Sequence, residues 1–599
     1  MSGRSGAEVI FDYLVERKVP YFVGLCGHAD VGLLDVALSR QADIKTVSVH
    51  HEQTAGYIAD AYYRVAGVPL ATFTSVGPGS INIQTAVANA LMDSSAMLAI
   101  TGNVPTMQFN KGPFQEIGYH YQADFTTAMR PYVKRSFQAP RPEMLPDMLR
   151  HAFNVMLSGR TGPVHLDVPL NVFAERTEAR ASFSDEWRDD GSVYSAGGDA
   201  RGVEAAVDLL LSARQPVILA GHGCLLDRTA AALVLELGEL TGMPVATTPQ
   251  GKGAIDEYHP LCLGPSGRDG TYPANRATRA ADVLLALGTR FGDRSTSSWR
   301  DKVTHSLTTK LIHVDIEPSQ LGRNYPPAVG IVGSTGTVLR QIIDSIKRRG
   351  PAAIQAAKTG RAAWDQRFPK WKKLWDEAHS GAPTMADLPI HPDRVMAELN
   401  AAMPKDAVVL SDIGMHHTWM VQQWKVPKGG RLLQSGGLAG MGFGVCGAIG
   451  AQLAAPGKPV VAVVGDGGFI MHANAVLTAV EYGLPIVWVI WNNLGYVSIR
   501  DLQRGFFGPD REHASRFRKT SDGELFSADY ALMAQSMGAD GVRVDKPGDV
   551  GNALRAALAA GRPTVIDVRV ASEVKRRTAG VLDFPPLLGA DPNFDPDPM

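Results

Sequence analysis

Cysteine, net charge and long apolar runs are all scarce in this 599-residue chain. The four cysteines form no CxxC pair, which argues against a disulfide framework and against a cysteine-ligated zinc site. Lysine and arginine total 59 against 60 aspartates and glutamates, so the chain lacks the basic field that binds nucleic acids or anionic membranes. No stretch approaches the roughly 18 apolar residues of a spanning helix. We therefore expect neither a nucleic acid nor a membrane as partner.

Charged residues interrupt the first apolar stretch, MSGRSGAEVIFDYLVERKVP, at helical spacing. A signal peptide has an uninterrupted apolar centre, so we expect a cytoplasmic protein. With 45% apolar and 20% charged residues, the composition is that of a globular protein, which excludes disordered and fibrous classes.

Short β-branched runs recur along the chain, each followed by a glycine-rich turn and then by helical periodicity, as in QPVILAGHG and PVVAVVGDGG. This rhythm predicts an α/β fold of three doubly wound parallel-sheet domains at 1–180, 195–345 and 390–572. The polar stretch 175–201 and the mixed stretch 347–392 are interpreted as linkers, and 573–599 as a tail rich in proline and aspartate. The first and third blocks share an outline.

The strongest chemical signal lies in the third block, where two predicted strands each end in a polar turn. PVVAVV is followed by the turn GDGG, which contains Asp466, Gly467 and Gly468, and PIVWVIW is followed by NNLG, which contains Asn493 and Gly495. Because parallel strands end at one edge of a sheet, the Asp466 carboxylate, the Asn493 amide and the Gly495 carbonyl suit a Mg²⁺ ion that also takes phosphate oxygens. The amides of Gly467 and Gly468 are placed to approach a diphosphate.

The segment GDGGFIMHANAVLTAVEYGLPIVWVIWNN resembles the thiamine-diphosphate motif, and nearly the whole chain is similar to the acetolactate synthase-like family. The resemblance implies a pyrimidine-binding first domain, a central Rossmann-like domain and a diphosphate-binding third domain, with thiamine diphosphate and Mg²⁺ as cofactors. It also implies an early glutamate, found as Glu52 in VHHEQTAGYIADAYYR. Its carboxyl would bond the cofactor's pyrimidine ring and promote the tautomer that activates the thiazolium carbon.

In that family the glutamate and the Mg²⁺ site belong to different subunits, so the resemblance implies a homodimer or homotetramer. The resemblance further implies a set of cofactor contacts: Pro78 and Asn82 beneath the pyrimidine, Gly414, Met415 and His416 at the phosphates, the Ala439 carbonyl at the amino group, and Met441 as an apolar wedge. His417, beside His416, is expected to face elsewhere.

Three residues are expected on the substrate side. Gln115, in a match to the family's FQE, would line the channel above the reactive carbon. His28 occupies the loop facing that carbon, where it is either a proton shuttle or an ordinary loop histidine. Lys134 lies where acetolactate synthases carry a lysine or its neighbour, and the alternative is a solvated surface lysine.

Two features leave the chemistry open. Arg500 and its neighbours stand where acetolactate synthases carry a tryptophan that favours a larger second keto acid, so either the acceptor differs or pyruvate is not ligated. In the middle block, the GHG turn at 221–223, Arg290 and Asp315 resemble flavin-holding elements. They fit either a structural FAD or a domain kept for packing alone.

These features predict a thiamine-diphosphate- and Mg²⁺-dependent lyase or carboligase, with a small-molecule 2-keto acid such as pyruvate as donor. The alternatives that use the same activated carbon are a 2-hydroxyacyl-CoA lyase, an oxalyl-CoA decarboxylase, a cyclic diketone hydrolase and a flavin-dependent oxidase. A non-catalytic relative would require loss of Glu52 or of the Asp466 motif, and both are present.

Overall fold

The computed structural model describes residues 3–118, 120–179 and 195–574. Nearly all of the expected tail 573–599 and most of the polar stretch 175–201 lie outside these ranges. The described part contains three six-stranded sheets and one two-stranded sheet. Every strand pair within the six-stranded sheets is parallel and helices connect the strands, which confirms the predicted α/β class.

The first domain is built on a sheet of strand order β3-β2-β4-β5-β7-β6, and the short strands β1 and β8 pair beside it. Its strands are β1 Arg4–Ser5, β2 Tyr21–Leu25, β3 Lys45–Ser48, β4 Leu70–Thr74, β5 Met97–Asn103, β6 Arg135–Gln138, β7 Val164–Pro169 and β8 Arg176–Thr177. Its helices are α1 Gly6–Glu16, α2 Val31–Ser39, α3 Glu52–Ala66, α4 Pro78–Asn82, α5 Gln84–Met92, α6 Phe125–Met129, α7 Leu145–Leu157 and α8 Leu170–Ala174.

The central domain has the strand order β11-β10-β9-β12-β13-β14, which is that of a Rossmann sheet. Its strands are β9 Pro216–Ala220, β10 Val245–Thr247, β11 Cys262–Pro265, β12 Val283–Leu287, β13 Lys310–Asp315 and β14 Val329–Val332. Its helices are α9 Ala200–Ser212, α10 Gly223–Leu226, α11 Ala230–Thr241, α12 Tyr272–Ala280, α13 Asp293–Thr296 and α14 Thr335–Arg348.

The stretch 347–392, interpreted from composition as a linker, is largely helical. It forms α15 Gly350–Gly360, α16 Ala362–Asp365 and α17 Arg367–Ala378. Trp364 and Phe368 are buried in a core shared with the central sheet, and the Trp364 indole donates to the Pro216 carbonyl at 3.3 Å. The linker interpretation was wrong for α15–α17, because Trp364 of α16 and Phe368 of α17 are core residues of the central domain and Ile354 of α15 packs against that domain's core.

The third domain has the strand order β16-β15-β17-β18-β20-β19. Its strands are β15 Val408–Ser411, β16 Arg431–Gln434, β17 Val460–Gly465, β18 Ile486–Asn492, β19 Asp540–Val544 and β20 Thr564–Arg569. Its helices are α18 Pro392–Ala402, α19 Met415–Gln423, α20 Phe443–Ala454, α21 Asp466–Met471, α22 Ala475–Glu481, α23 Val497–Phe507, α24 Tyr530–Ser536 and α25 Val550–Ala560. Numbered by appearance along the chain, the strands of the first and third sheets follow one order, 2-1-3-4-6-5.

Helices α3 and α20 join the first and third domains in one apolar core that includes Tyr57, Ile58 and Phe443. The helices approach closely because α20 carries glycine at the contact. A Cβ on Gly450 would lie 2.1 Å from the Ile58 carbonyl oxygen, and one on Gly447 would lie 3.1 Å from Ala61. No helix in the described ranges combines the length and apolar character needed to cross a membrane.

Candidate active site

Glu52 lies at the carboxyl end of β3, as the first residue of α3. The preceding residue, His51, caps this helix, because its ring nitrogen accepts the Gln53 amide at 3.2 Å. Glu52 is only 8% exposed, and Asn82 donates to its carboxylate at 3.0 Å. Since Asn82 closes the short helix α4 after β4, the structure brings together two residues that the sequence predicted around the cofactor ring.

The turn before α4 also receives the segment that carries Gln115. A Cβ on Gly77 would lie 2.6 Å from the Gln115 carbonyl oxygen, and Gly77 has a φ of 68° that favours glycine. Pro78, which begins α4, is exposed beside this contact. Gln115 therefore lies at the same edge of the sheet as Glu52.

His28 lies in a short 3₁₀ turn after β2, the strand adjacent to β3 and β4. Its ring is exposed and lies 5.7 Å from the ring of Phe114, which is 78% exposed. His28 and the FQE segment thus form one exposed wall at the Glu52 edge.

Lys134 occupies a different place. It precedes β6, whereas His28, Glu52 and Gln115 all follow strands, so it lies toward the opposite end of the parallel sheet. Its ammonium donates to the Ser158 carbonyl at 2.7 Å. Burial lowers the pKa of Lys134 to about 8, and Glu317 of the central domain acts in the opposite direction. Within one chain, the structure does not bring Lys134 to the other predicted substrate residues.

Asp466 follows β17 and is 2% exposed. Its two carboxylate oxygens accept the amides of Gly467 at 2.8 Å and Gly495 at 3.1 Å. Burial raises the pKa of Asp466 to about 6, and backbone hydrogen bonds partly offset this effect. Strand β18 pairs with β17, so Asn493, which is 6% exposed, follows the neighbouring strand end. The carboxylate, amide and carbonyl oxygens of the predicted Mg²⁺ site share this edge.

Among the described residues, no three histidine, cysteine, aspartate or glutamate side chains cluster as a metal site. A site built on Asp466 would therefore be completed by the neutral oxygens of Asn493 and Gly495. That donor set suits Mg²⁺, a hard cation commonly held by one or two carboxylates together with phosphate oxygens. The residues present fit the ion implied by the resemblance.

His416 provides an independent mark of a ligand site. The side chain is 1% exposed, and its Nε2 has no hydrogen-bond partner among the described residues. Burial lowers the pKa of His416 to about 4, so the ring is neutral near pH 7. Its ring also lies near Gly414 and Gly465, where added Cβ atoms would come within 3.0 and 3.3 Å. An unpaired nitrogen on an imidazole that approaches Gly465, the residue before Asp466, fits a diphosphate oxygen.

The neighbouring residues behave differently. His417 accepts or donates at 3.1 Å with the Ser411 hydroxyl, and its surroundings include Asp269 and Arg294 of the central domain. The sequence prediction that His417 faces elsewhere agrees with these contacts. Met415, by contrast, is buried in the third-domain core, so its backbone is the part that remains available to a phosphate.

The segment between β16 and α20 lies against α3. The Met441 carbonyl accepts the Tyr57 hydroxyl at 3.5 Å, and a Cβ on Gly440 would lie 2.5 Å from that hydroxyl oxygen. Ala439 has a left-handed φ of 61°, and Met441 is half-buried. The helix that begins with Glu52 therefore supports the segment expected to hold the pyrimidine.

The sequence prediction missed two supporting residues, Asp412 and Tyr57. Asp412 accepts the Gly442 amide at 3.0 Å and the Gly444 amide at 3.3 Å, which fixes the start of α20. Tyr57 stands inside VHHEQTAGYIADAYYR, and Asp412 lies two residues before Gly414, but only their contacts in the folded chain reveal their roles.

Arg500 also proves to be a structural residue. It is 2% exposed and bonds Asp501 at 2.6 Å and Glu573 at 2.5 Å, which ties α23 to the segment after β20. The departure from the family at this position therefore brings an ion-paired arginine rather than one free to bind substrate.

In the central domain, Gly221 and Gly223 are used in packing. Their amides donate to the Leu287 carbonyl at 2.8 Å and the Gly288 carbonyl at 3.0 Å. Arg290 and Asp315 interact electrostatically in the same region. Burial raises the pKa of Asp315 to about 6, and the positive charge of Arg290 partly offsets this effect. The glycines are explained by packing, whereas the charged pair is compatible with either interpretation of the domain.

Three family models match the chain in the order of its domains. They are the N-terminal TPP binding domain of thiamine pyrophosphate enzymes at residues 4–124, the central domain at 203–342 and the C-terminal TPP binding domain at 412–568. The matched boundaries fall within the three predicted blocks.

Curated relatives match almost the entire chain. A Methanococcus aeolicus protein named "Probable acetolactate synthase large subunit" is 33% identical over 576 residues, covering 94% of this chain and 92% of the relative. The acetolactate synthase large subunit of Cyanidium caldarium is 33% identical over 578 residues, covering 95% and 94%. The acetolactate synthase of Mycobacterium bovis is 31% identical over 576 residues, covering 95% and 89%. The chain therefore belongs to the thiamine pyrophosphate enzymes, as an acetolactate synthase-like member.

Proposed function

We propose that this chain is a thiamine-diphosphate- and Mg²⁺-dependent lyase or carboligase that acts on a 2-keto acid, with pyruvate or a related acid as donor. The observation that carries the proposal is the pairing of two features in one acetolactate synthase-like chain. Glu52 is buried and bonded to Asn82. Asp466 is buried directly after Gly465, which the His416 ring approaches, and the Nε2 of that ring has no partner among the described residues. Relatives at 31–33% identity are named acetolactate synthases.

Separate groups of residues would bind the diphosphate half and the pyrimidine half of the cofactor. Asp466, Asn493 and Gly495 would hold Mg²⁺ through oxygen atoms, and His416 would donate its free N–H to a phosphate oxygen. Glu52 would hold a proton at its carboxyl against the pyrimidine ring, with Asn82 fixing the other carboxyl oxygen. When bound, thiamine diphosphate supplies a carbon that accepts the electrons released as a keto-acid bond breaks.

On the substrate side, His28 is an ionisable group of the exposed wall. Its imidazole would move a proton to or from a substrate oxygen, while Gln115 would orient the substrate by hydrogen bonding. The exposed ring of Phe114 beside His28 supplies apolar contact for the organic part of the donor. Lys134 has no part in this step within one chain.

Self-association is part of the proposal. In the family that the chain resembles, one site takes its glutamate from one subunit and its Mg²⁺ ligands from another, so Glu52 of one copy would face Asp466 of a second copy. In support, Ile470 and Met471 on α21, the helix that begins with Asp466, are 41% and 51% exposed. Large apolar side chains beside a site favour coverage by protein.

The test is a proton NMR time course with thiamine diphosphate, Mg²⁺ and pyruvate, run on the wild type and Glu52→Gln. Acetolactate or acetaldehyde formed by the wild type alone supports the proposal. Glu52→Gln should still bind the cofactor and lose about 10²- to 10⁴-fold in turnover, the range typical of a proton-transfer residue. Equal turnover by both proteins would exclude the role of Glu52, and a wild type that binds no cofactor would contradict the proposed function. A bound cofactor without pyruvate turnover would redirect the assay to acyl-CoA and cyclic diketone substrates.

The visible absorbance spectrum of the purified chain decides between the two interpretations of the central domain. A yellow protein that releases FAD on denaturation would establish a flavin site near Arg290 and Asp315. A colourless protein that gains no flavin absorbance on incubation with FAD and removal of the excess would assign the domain to packing.

A further inference from the structure

A buried polar cluster outside the candidate site joins all three domains. At its centre, Arg64 of α3 bonds Asp60 at 2.7 Å, Asp93 at 3.0 Å and the Gln434 carbonyl at 2.7 Å. The side chains of Arg64, Asp60 and Asp93 are at most 3% exposed. Buried charges are expensive unless they are paired and hydrogen-bonded, so this cluster requires a specific arrangement of its neighbours.

Asp93 is the member that reaches the cofactor segment. Its carboxylate accepts the Gly437 amide at 2.8 Å and the Gly436 amide at 3.2 Å. It also accepts the side-chain amide of Gln250, in the central domain, at 2.9 Å. Burial by itself would raise the pKa of Asp93, but the Arg64 charge holds it below the ordinary value, so the group is an ionised acceptor.

A second arm of the cluster reaches the same segment from the other side. Asn89 donates to Asp60 at 2.8 Å and accepts the Ser435 hydroxyl at 2.5 Å. The Ser435 hydroxyl oxygen in turn accepts the Gly440 amide at 3.2 Å. The two arms thus hold both ends of the stretch 435–440.

The stretch has little space in which to move. A Cβ on Gly436 would lie 2.0 Å from the Gln250 side chain, and one on Gly437 would lie 2.6 Å from the Met92 Cβ. Ala439, two residues after Gly437, has the left-handed φ of 61°, and Met441 follows. The contacts of the Gly436 and Gly437 amides therefore set the conformation of Ala439 and Met441.

We propose that Asp93 is a positioning residue for the cofactor. Its carboxylate fixes Gly436 and Gly437, and thereby sets the Ala439 carbonyl and the Met441 side chain against the pyrimidine. The inference rests on the proposed function for the identity of the cofactor. Asp93 bonds the segment after β16, whereas His416 follows β15 and Asp466 follows β17. Asp93 therefore acts on the pyrimidine half and leaves the diphosphate half unchanged.

The test compares two ligands by isothermal titration calorimetry in the presence of Mg²⁺. For Asp93→Asn, the dissociation constant of thiamine diphosphate should rise about 10- to 100-fold, as expected for loss of hydrogen bonds to a charged acceptor. The dissociation constant of inorganic diphosphate should stay within about twofold of the wild type, because its contacts are intact. Equal weakening of both ligands, or of neither, would overturn the inference.

Glu257→Gln is the matched control. Glu257 is a buried carboxylate of the central domain that pairs with Lys252 at 2.7 Å and accepts a third-domain amide, that of Val426, at 2.6 Å. This variant should lose thermal stability without a selective loss of thiamine diphosphate. If it shows the same selectivity as Asp93→Asn, the effect is one of general destabilisation and the inference fails.

Ser435→Ala is the second variant, to be used if Asp93→Asn does not fold. It removes the hydroxyl that bonds Asn89 and the Gly440 amide, and it leaves every charge of the cluster in place. It should weaken thiamine diphosphate by about 3- to 10-fold, the range for one neutral hydrogen bond, and spare inorganic diphosphate. Unchanged binding of thiamine diphosphate would overturn the inference. A wild type that binds inorganic diphosphate but no thiamine diphosphate would instead contradict the proposed function.

Discussion

Asp466 is a buried carboxyl that bonds both the turn after β17 and the turn after β18. Its bonds to the amides of Gly467 and Gly495 hold the turns after β17 and β18 in register. Because the same oxygens are the candidate metal ligands, bound Mg²⁺ would compete with or share these contacts, and the turns are arranged in advance for the ion.

Asp466→Ala should therefore abolish Mg²⁺-dependent retention of thiamine diphosphate, since Asp466 supplies the carboxylate among the three predicted ligands Asp466, Asn493 and Gly495. Cofactor remaining after desalting with and without Mg²⁺ measures this. The control is Asp393→Ala, which removes a buried third-domain carboxylate bonded to the Trp419 indole at 2.8 Å. Retention should persist in the control, and retention by Asp466→Ala at the wild-type level would contradict the metal assignment.

A second buried carboxyl, Asp167, supports the first-domain edge. It is fully buried and accepts hydrogen bonds from Thr101 at 3.0 Å, Asn103 at 2.6 Å and Gln138 at 2.9 Å. Asn103 and Gln138 also donate to the Ala123 carbonyl, at 2.9 and 2.6 Å. Asp167 thus anchors the end of the segment that carries Gln115.

The stability of the wild type relative to Asp167→Asn should depend on pH. Burial raises the pKa of Asp167 from 3.8 to about 7 in the folded state, so the fold favours the protonated form. The stabilisation that the fold gains from the protonated Asp167 carboxyl is fully present below about pH 4 and is lost as the pH rises through about 7. The difference in Tm between the wild type and Asp167→Asn should therefore be more favourable to the wild type at pH 5 than at pH 8. Asn103→Ala keeps the carboxyl and should retain a fall of stability with rising pH, displaced to higher pH because the Asn103 hydrogen bond lowers the pKa of Asp167. Parallel Tm profiles for the wild type and Asp167→Asn would refute the assignment.

At the scale of elements, the contact between α3 and α20 joins, within one chain, the helix that begins with Glu52 to the helix that follows Met441. Glu52 begins α3, and α20 begins two residues after Met441. The contact depends on glycine at Gly450 and Gly447, so the axes of these helices lie closer than ordinary side chains would permit.

Gly450→Ala should destabilise the chain by about 1–3 kcal/mol, the usual cost of overpacking a core, because its new Cβ would meet the Ile58 carbonyl. Thermal unfolding measures the loss. Gly505→Ala is the matched control, since Gly505 lies in α23 with no atom near a Cβ. It should leave stability unchanged or raise it by up to about 1 kcal/mol through helix propensity. Equal Tm values for the two variants would contradict the close-packed contact.

Sequence reasoning performs best at strand ends. The place of Asp466 was predicted from the end of a parallel strand, whereas the places of Glu52, Asn82 and His416 were implied by the resemblance to the family. Lys134 could not be placed in this way, since it precedes its strand and contacts residues distant in sequence. The α15–α17 segment was missed because its lysines and prolines obscured the aromatic positions that pack on the central sheet.

At the scale of the whole molecule, the described chain leaves large apolar side chains beside the site. Met471 on α21 is 51% exposed, and Phe114 on the His28 wall is 78% exposed. Both lie on segments that carry or adjoin candidate site residues, and their coverage by a second copy would complete the proposed assembly.

Met471→Glu should shift the protein toward monomer and reduce turnover in parallel, because it places a charge in the expected interface. Sedimentation velocity at several concentrations measures the change. Leu374→Glu, at a 43% exposed position on α17 away from the strand ends, should leave the oligomer intact. An unaltered sedimentation profile for Met471→Glu would exclude α21 from the interface.

The shared strand order of the first and third sheets has a consequence for how the chain is assembled. In both domains the second strand along the chain leads into a helix, α3 in one and α20 in the other, and these two equivalent helices pack against each other. A contact between equivalent surfaces is the kind that a two-fold axis produces between identical subunits. The single chain thus contains an internal pseudo-dimer, as duplication and fusion of one ancestral domain would leave it, with the central domain inserted between the copies.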